Sequence, residues 1–273
     1  MTTVTAPAPT PTPVTSAPTG TAVADATALA WRNLKGMMRN PQVIVFSTIQ
    51  PIIFVLNFRY VFGGALGQAL PPNVEFVDFL MPGIFVQTVA FGATAVAVGM
   101  AADLDNGILE RFRSLPIARS AVLAGRSLAD LVRNSFVIAL MVAVGFGVGF
   151  RVHTNVLAFF GGFLLLLAFM FALSWVFATI GLLVRDPEAS QAASFPIMAV
   201  LVFASSAFVP VNTMPGWLQA YADHQPVSDM ADAMRALMLG GATTGKVVIA
   251  LAWCAGIVAV FAPLAIARYR KAA

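Results

Sequence analysis

The sequence is short of charge. Asp, Glu, Lys and Arg make up 10% of its 273 residues, where soluble globular chains carry roughly 25%. Hydrophobic residues account for 59%, and the mean hydropathy is +0.85. Lipid is therefore the solvent for most of this chain, and a soluble enzyme is excluded. Cysteine is nearly absent too. A single residue, Cys254, sits in an apolar run, which rules out a disulfide within the chain and a zinc site built on thiolates. It reads as a small buried apolar residue. Histidine is limited to His153 and His224, both in predicted outer loops, too few for a metal cluster or a catalytic triad. His224, beside Gln225 and Pro226, reads as a turn residue. The apolar runs show no acids at depth, which argues against a proton-coupled carrier. No basic run is long enough to track phosphates, so the net charge of +4 does not signal nucleic acid.

What is present is a series of long apolar runs. The length suits five to seven spans of about 20 residues each, with no room for a separate catalytic domain. Residues 1–24 are rich in Thr, Pro and Ala, with prolines at 7, 9, 11 and 13. They lack the basic start and apolar core of a signal peptide and are expected to form a disordered cytoplasmic tail. From Asp25 to Asn40, Leu29, Trp31 and Leu34 alternate with Arg32, Lys35 and Arg39. That pattern predicts an amphipathic helix in the membrane interface. Six spans follow, at about Val43–Phe62, Phe79–Ala101, Leu123–Phe150, Val156–Val184, Ala189–Val209 and Val247–Ala267. Twelve of the 16 basic residues fall on one side of this arrangement; Arg59, Arg151, Arg235 and Lys246 fall on the other. Both termini are therefore expected in the cytoplasm, in keeping with an even number of spans. Arg126, Asp130 and Arg133 share one face of the third span. They read as an ion pair near the cytoplasmic interface rather than a proton relay.

Three polar segments carry candidate function. Between spans two and three, Glu110-Arg111-Phe112-Arg113-Ser114-Leu115-Pro116 is charged, and Ile108, Leu109, Phe112 and Leu115 give it an apolar stripe. The pattern fits a helix docking in a partner's groove, and it also fits a solvated connecting loop. Between spans five and six, residues 210–241 read as two short helices. Ser228 is a candidate cap of the second, Asp229 lies in its first turn, and Gly240-Gly241 stop it. Met230, Met234, Leu237 and Met238 form an apolar stripe, and Trp217 and Tyr221 suit an interface. This is either a re-entrant outer hairpin or an amphipathic loop. The third segment, Gly240 to Val247, nearly spells a phosphate-binding loop. It has Val247 where the pattern needs Ser or Thr to hold magnesium, a helix in place of the preceding strand, and an outer location.

Taken together, the residues resemble the permease subunits of type-2 ABC exporters, and in pattern the daunorubicin-resistance permeases of the DrrB type. The likeness covers the whole chain after Ala24. It rests on Asn40-Pro41 through Gln50-Pro51 with Phe58 to Gly64, on Gly107 to Pro116, and on Met214-Pro215-Gly216-Trp217 with Gln225-Pro226-Val227-Ser228. The resemblance implies an all-α integral membrane protein of six spans in a bacterial cell membrane. It implies one permease domain over 25–273, with a connecting helix, a coupling helix and an extracellular re-entrant hairpin. Leu109, Glu110, Arg111, Phe112, Arg113 and Leu115 would contact a separate ABC ATPase, which holds the ATP and Mg2+. Trp217, Tyr221, Gln225 and Pro226 would build the outer hairpin. A second permease subunit would pair with this one around a path for a hydrophobic or amphipathic substrate, drug-like or lipid. A polysaccharide or glycolipid exporter and an ion-coupled carrier are the alternatives.

Overall fold

The computed structural model describes residues 41–68, 70, 74–106 and 119–272, the side chains of 41–48, 119–129 and 270–272 excepted. The expected tail, the connecting helix at 25–40 and the coupling segment with Leu109, Glu110, Arg111, Phe112, Arg113 and Leu115 lie outside the described residues. Those that are described form helices joined by short turns, with no strand among them. Pro41–Leu56 (α1) runs on through one π turn, Asn57–Phe62, into Gly63–Gly67 (α2). Then come Phe76–Asp105 (α3), Arg119–Gly147 (α4), Val156–Val184 (α5) and Pro187–Phe203 (α6). A 3-10 turn at Val211–Thr213 leads to Gly216–Ala222 (α7), Pro226–Leu239 (α8) and Thr243–Ala272 (α9).

Five stretches of helix are long and apolar enough to cross a membrane: Ile49–Gly67, Phe76–Asp105, Asp130–Gly147, Val156–Val184 and Thr243–Tyr269. The run predicted as the fifth of six spans, 189–209, forms a helix of only 17 residues. At 1.5 Å per residue that is about 25 Å, short of a hydrocarbon core of ~30 Å. Its ends are set locally. The Asp186 carboxylate accepts a hydrogen bond from the Ala189 amide at 2.6 Å, and Pro187 occupies the first helical position, where its missing N–H costs nothing. Upstream, Asn155 caps α5 by accepting from the Ala158 amide at 2.7 Å. Arg185 ends α5 in the left-handed conformation, φ 65°.

One helix is the hub. Of its most apolar window, α3 buries 67% within the protein, against 6% for the first helix. It packs most extensively on α5, and then on α6, α8 and α4. Small residues make this possible, because they let backbones approach. A β-carbon at Gly181 of α5 would collide with the Ala97 carbonyl of α3, and one at Gly83 of α3 would collide with the Ala207 carbonyl beyond α6. Leu80, Ile84, Phe85, Leu166, Phe169 and Met170 fill the spaces between. Cys254 is buried and unbridged.

Because backbone rather than a flexible side chain stands in the way, Gly181→Val should destabilise the fold by about 1–3 kcal/mol or more, as overpacking does. Gly256 has nothing within 4 Å of its would-be β-carbon, so Gly256→Ala should stay within ~0.5 kcal/mol of the parent. Thermal unfolding in detergent, followed by tryptophan fluorescence, checks both.

Candidate functional site

The segment predicted as the hairpin is built around an arginine. The chain leaves α6 at Phe203 and turns through Ala204–Val209 before the 3-10 turn. That stretch has no helical ladder, so its carbonyls need other donors. Arg235, on α8, supplies them. Its Nη2 donates to the Ser206 carbonyl at 2.6 Å and to the Ala207 carbonyl at 3.1 Å. Its Nε donates to the Phe79 carbonyl on α3 at 3.1 Å. The guanidinium carbon also lies 3.7 Å from the centre of the Phe79 ring, a cation–π contact. Asp232, one turn earlier, takes an Nη1 hydrogen at 2.8 Å. The planar fork of an arginine suits this task, whereas a lysine presents a point charge.

Around this clamp the remaining polar groups interlock. The Ser228 Oγ accepts from the Ser206 amide at 3.0 Å and from the Gln225 Nε2 at 3.1 Å. Gln225 also donates to the Ala204 carbonyl at 3.2 Å. Ser228 is thus not the cap of α8 that its position suggests. The helix opens at Pro226 after Gln225, with no side-chain cap, and the serine lies inside the first turn. Gly240 and Gly241 end α8 with φ 99° and 109°, where a side chain would be strained.

A second junction ties α8 to α3. The α8 carbonyls left over at its C-terminus are met by the loop after α4: the Leu237 carbonyl accepts from Thr154 Oγ1 at 2.6 Å, and the Met238 carbonyl from the His153 amide at 2.9 Å. Asp78, in the first turn of α3, accepts from the Arg151 amide at 2.9 Å and pairs with His153 Nε2 at 2.8 Å. Trp253 of α9 donates to Asp229 at 2.7 Å. Burial raises the Asp229 carboxyl above its ordinary value, and the Trp253 bond opposes that rise.

Of the four predicted hairpin residues, the fold brings Gln225 to the clamp, opens α8 at Pro226, and leaves Trp217 and Tyr221 exposed on α7. His224 is an exposed turn residue whose Nδ1 meets the Ala220 carbonyl at 3.0 Å. Met230, Met234, Leu237 and Met238 are buried, as their stripe predicts. Arg235 counts among the outer basic residues, yet the fold buries it to 8% exposure, and Asp78 and Asp130 are buried as well. Charge is therefore present inside the helix assembly, paired and hydrogen-bonded. The Asp130–Arg133 pair predicted from spacing is found, at 3.4 Å. The glycine run at 240–246 follows a helix, as its sequence suggests, and Thr243 already begins α9.

These features define a polytopic helical membrane protein with a polar-locked hairpin inserted between its last two long helices. Residues 25–239 match the ABC-2 type transporter family, and the chain belongs to that family. It is the membrane-spanning subunit of an ABC transporter. It is 36% identical over 250 residues to the daunorubicin resistance ABC transporter permease protein DrrB1 of Streptomyces coeruleorubidus, covering 92% of this chain and 87% of that one. It is 28% identical over 242 residues to the probable doxorubicin resistance ABC transporter permease protein DrrC of Mycobacterium tuberculosis strain H37Rv, covering 88% and 86%. A putative transport permease, ycf38, of Cyanophora paradoxa is 24% identical over 210 residues, covering 74% and 69%.

Replacing Arg235 would leave Asp232 and three carbonyls without their donor. Removing one partner of a buried pair costs about 3–5 kcal/mol, so Arg235→Met should lower the thermal midpoint sharply. Arg235→Lys should recover only part of the loss. Detergent-solubilised protein, scanned for unfolding by tryptophan fluorescence, measures both.

Proposed function

We infer that this chain exports a hydrophobic or amphipathic drug-like molecule, as one permease subunit of a complex whose ATP is hydrolysed on a separate ABC ATPase with its Mg2+. The observation that carries this reading is the 36% identity, along 92% of the chain, to a protein named for daunorubicin resistance. In this reading α6 together with the turn Ala204–Val209 that continues it completes six crossings of the bacterial cell membrane, and both termini lie in the cytoplasm. The hairpin of α7 and α8 dips in from the outer side. The distribution of basic residues supports that orientation.

The first helix and α6 supply the surface for a second permease subunit. Tyr60, Val61 and Phe62 on one side, and Phe195, Val200 and Phe203 on the other, are exposed apolar side chains. In lipid such surfaces can pack against a second subunit as well as against acyl chains. The first helix is lightly packed on the hub compared with α5 and α6, so in this reading it is the element freest to move during transport. The π turn in the first helix, a feature frequent at functional sites, falls in the same stretch. Residues 107–118 are assigned the ATPase contact. Leu109, Phe112 and Leu115 fill a groove there, and Glu110, Arg111 and Arg113 meet charges at its rim.

Co-expression with its ATPase should yield a complex that lowers daunorubicin accumulation in cells. Glu110→Lys places a like charge against a partner charge, which can cost several kcal/mol. The variant should reach the membrane at the parental level, retain at least tenfold less ATPase on pull-down, and fail to export. Retention of both ATPase and export by Glu110→Lys and by Phe112→Ala would remove the coupling role from this segment.

A further inference from the structure

A cavity of about 180 Å³ lies between the first helix, α3 and α4. A water needs about 10–15 Å³, so the space admits a segment of a larger molecule. Its walls are mainly apolar: Pro51 of α1, Phe91 and Ala95 of α3, and Val137 of α4. The amides of Gln87 and Asn134 also line it, but both residues are nearly sealed. Two polar side chains keep accessible surface. Gln50 is exposed at the rim, and Arg133, the one charged residue in the described lining, keeps 14% of its side chain open. On either side of Gln50 along the first helix, Ile49 and Ile53 are exposed. The rim therefore opens on lipid.

Arg133 is only partly committed. Its Nη2 makes both of its contacts, with the Gly92 carbonyl at 3.2 Å and with Asp130 at 3.4 Å. Nε and Nη1 make none among the described residues, and neither is a sealed, unmatched atom. Phosphate is a ready ligand for a guanidinium with donors to spare. The sequence adds Arg126 one turn before Asp130, so this stretch of α4 carries a surplus of one positive charge. Beyond Arg133, α4 has no further charge to its end at Gly147, roughly 20 Å at 1.5 Å per residue. In an apolar layer of ~30 Å, Arg133 lies within about 10 Å of the edge where α4 enters. From that depth the long stem of an arginine lets its head meet lipid phosphates.

We propose that this cavity holds the glycerol–phosphate end of an anionic phospholipid, with the phosphate on Arg133 and the upper part of one acyl chain against Pro51, Phe91 and Val137. The apolar walls fit the chain, and the surplus charge selects the headgroup. A zwitterionic lipid brings its own cation beside the phosphate, and an amine-bearing drug would meet the guanidinium directly. Basic pockets between membrane helices take acidic headgroups on the same grounds. Gln50, at the rim, offers an amide donor to a phosphate or ester oxygen. The lipid fills a gap between the first helix and the hub, where the protein's own contacts are sparse. The orientation proposed above puts it in the inner leaflet; the headgroup preference depends neither on that orientation nor on drug export.

The test uses the complex of permease and ATPase in nanodiscs of phosphatidylcholine, alone or mixed with phosphatidylglycerol. Ala95→Cys, in a Cys254→Ala background, places a thiol in the cavity wall. Phosphatidylglycerol should slow its reaction with neutral 2-hydroxyethyl methanethiosulfonate about fivefold. Gly245→Cys, in open space at the start of α9, should react at an unchanged rate. Adding Arg133→Gln should abolish the protection, and Arg133→Lys should keep part of it. Native mass spectrometry of the detergent-released complex should show phosphatidylglycerol held about tenfold more tightly than phosphatidylcholine of the same chains. That preference should vanish in Arg133→Gln and persist in Arg268→Gln, which alters an exposed arginine of α9. Equal protection by the two lipids, or a preference that survives Arg133→Gln, overturns the proposal. So does protection by daunorubicin in phosphatidylcholine alone as strong as that by phosphatidylglycerol, which would make the cavity a cargo site. The Ala95→Cys comparison between lipids needs no change at Arg133, so it decides the matter even where Arg133→Gln fails to fold.

Discussion

A helix satisfies its own backbone, and a break in a helix does not. In a medium without water the break must find its donors inside the protein. That constraint explains why Arg235 is where it is. After Phe203 the chain has to turn, and the Ser206 and Ala207 carbonyls point into the interior. One guanidinium reaches both, and from the same position reaches Phe79 on the hub helix. The turn, the hairpin and α3 are therefore joined at one side chain. Its charge is matched by Asp232, which retains some exposure, so the pair is not wholly desolvated. A buried pair of this kind holds a geometry more than it adds net stability.

The same logic places the loop after α4. Thr154 and the His153 amide meet the last carbonyls of α8, and Asp78 holds Arg151 and His153 against the start of α3. Two sets of polar contacts thus fasten α8 and the turn after α6 to the hub. The first helix packs far less extensively on the hub. Its aromatic rings reach the end of α6 and the turn beyond it: Phe54 meets Phe203 at 6.1 Å, and Phe58 stacks on Phe208 at 4.7 Å.

Much of this arrangement is legible in the sequence. Hydropathy locates every described long helix, and the Gly240-Gly241 stop, the Met stripe of α8 and the Asp130–Arg133 pair follow from spacing alone. Arg235 does not, because a basic residue near a predicted loop reads as a topology signal. A clue was available: Ser228, Asp232 and Arg235 are spaced by four and three residues, on one face of α8. A polar stripe opposite an apolar one usually faces water; here the turn after α6 covers it. The α6 terminus also escapes hydropathy, since Ala204–Val209 is apolar and small whether or not it is helical. Gln87 and Asn134 pass unnoticed because uncharged amides barely lower the hydropathy of their runs.

Polar groups inside this protein fall into two kinds, and the difference lies in whether they are satisfied. Arg235, Ser206, Ser228 and Asp78 have their partners in the folded chain, and their burial is accounted for by structure. Gln225 belongs to both kinds: its Nε2 donates to the Ala204 carbonyl and to Ser228 Oγ, while its Oε1, like that of Gln87, is buried without a partner among the described residues. A side-chain amide carries donors and an acceptor together, so a turn that calls on the donors alone leaves the acceptor unmet, at a cost of about 1–3 kcal/mol.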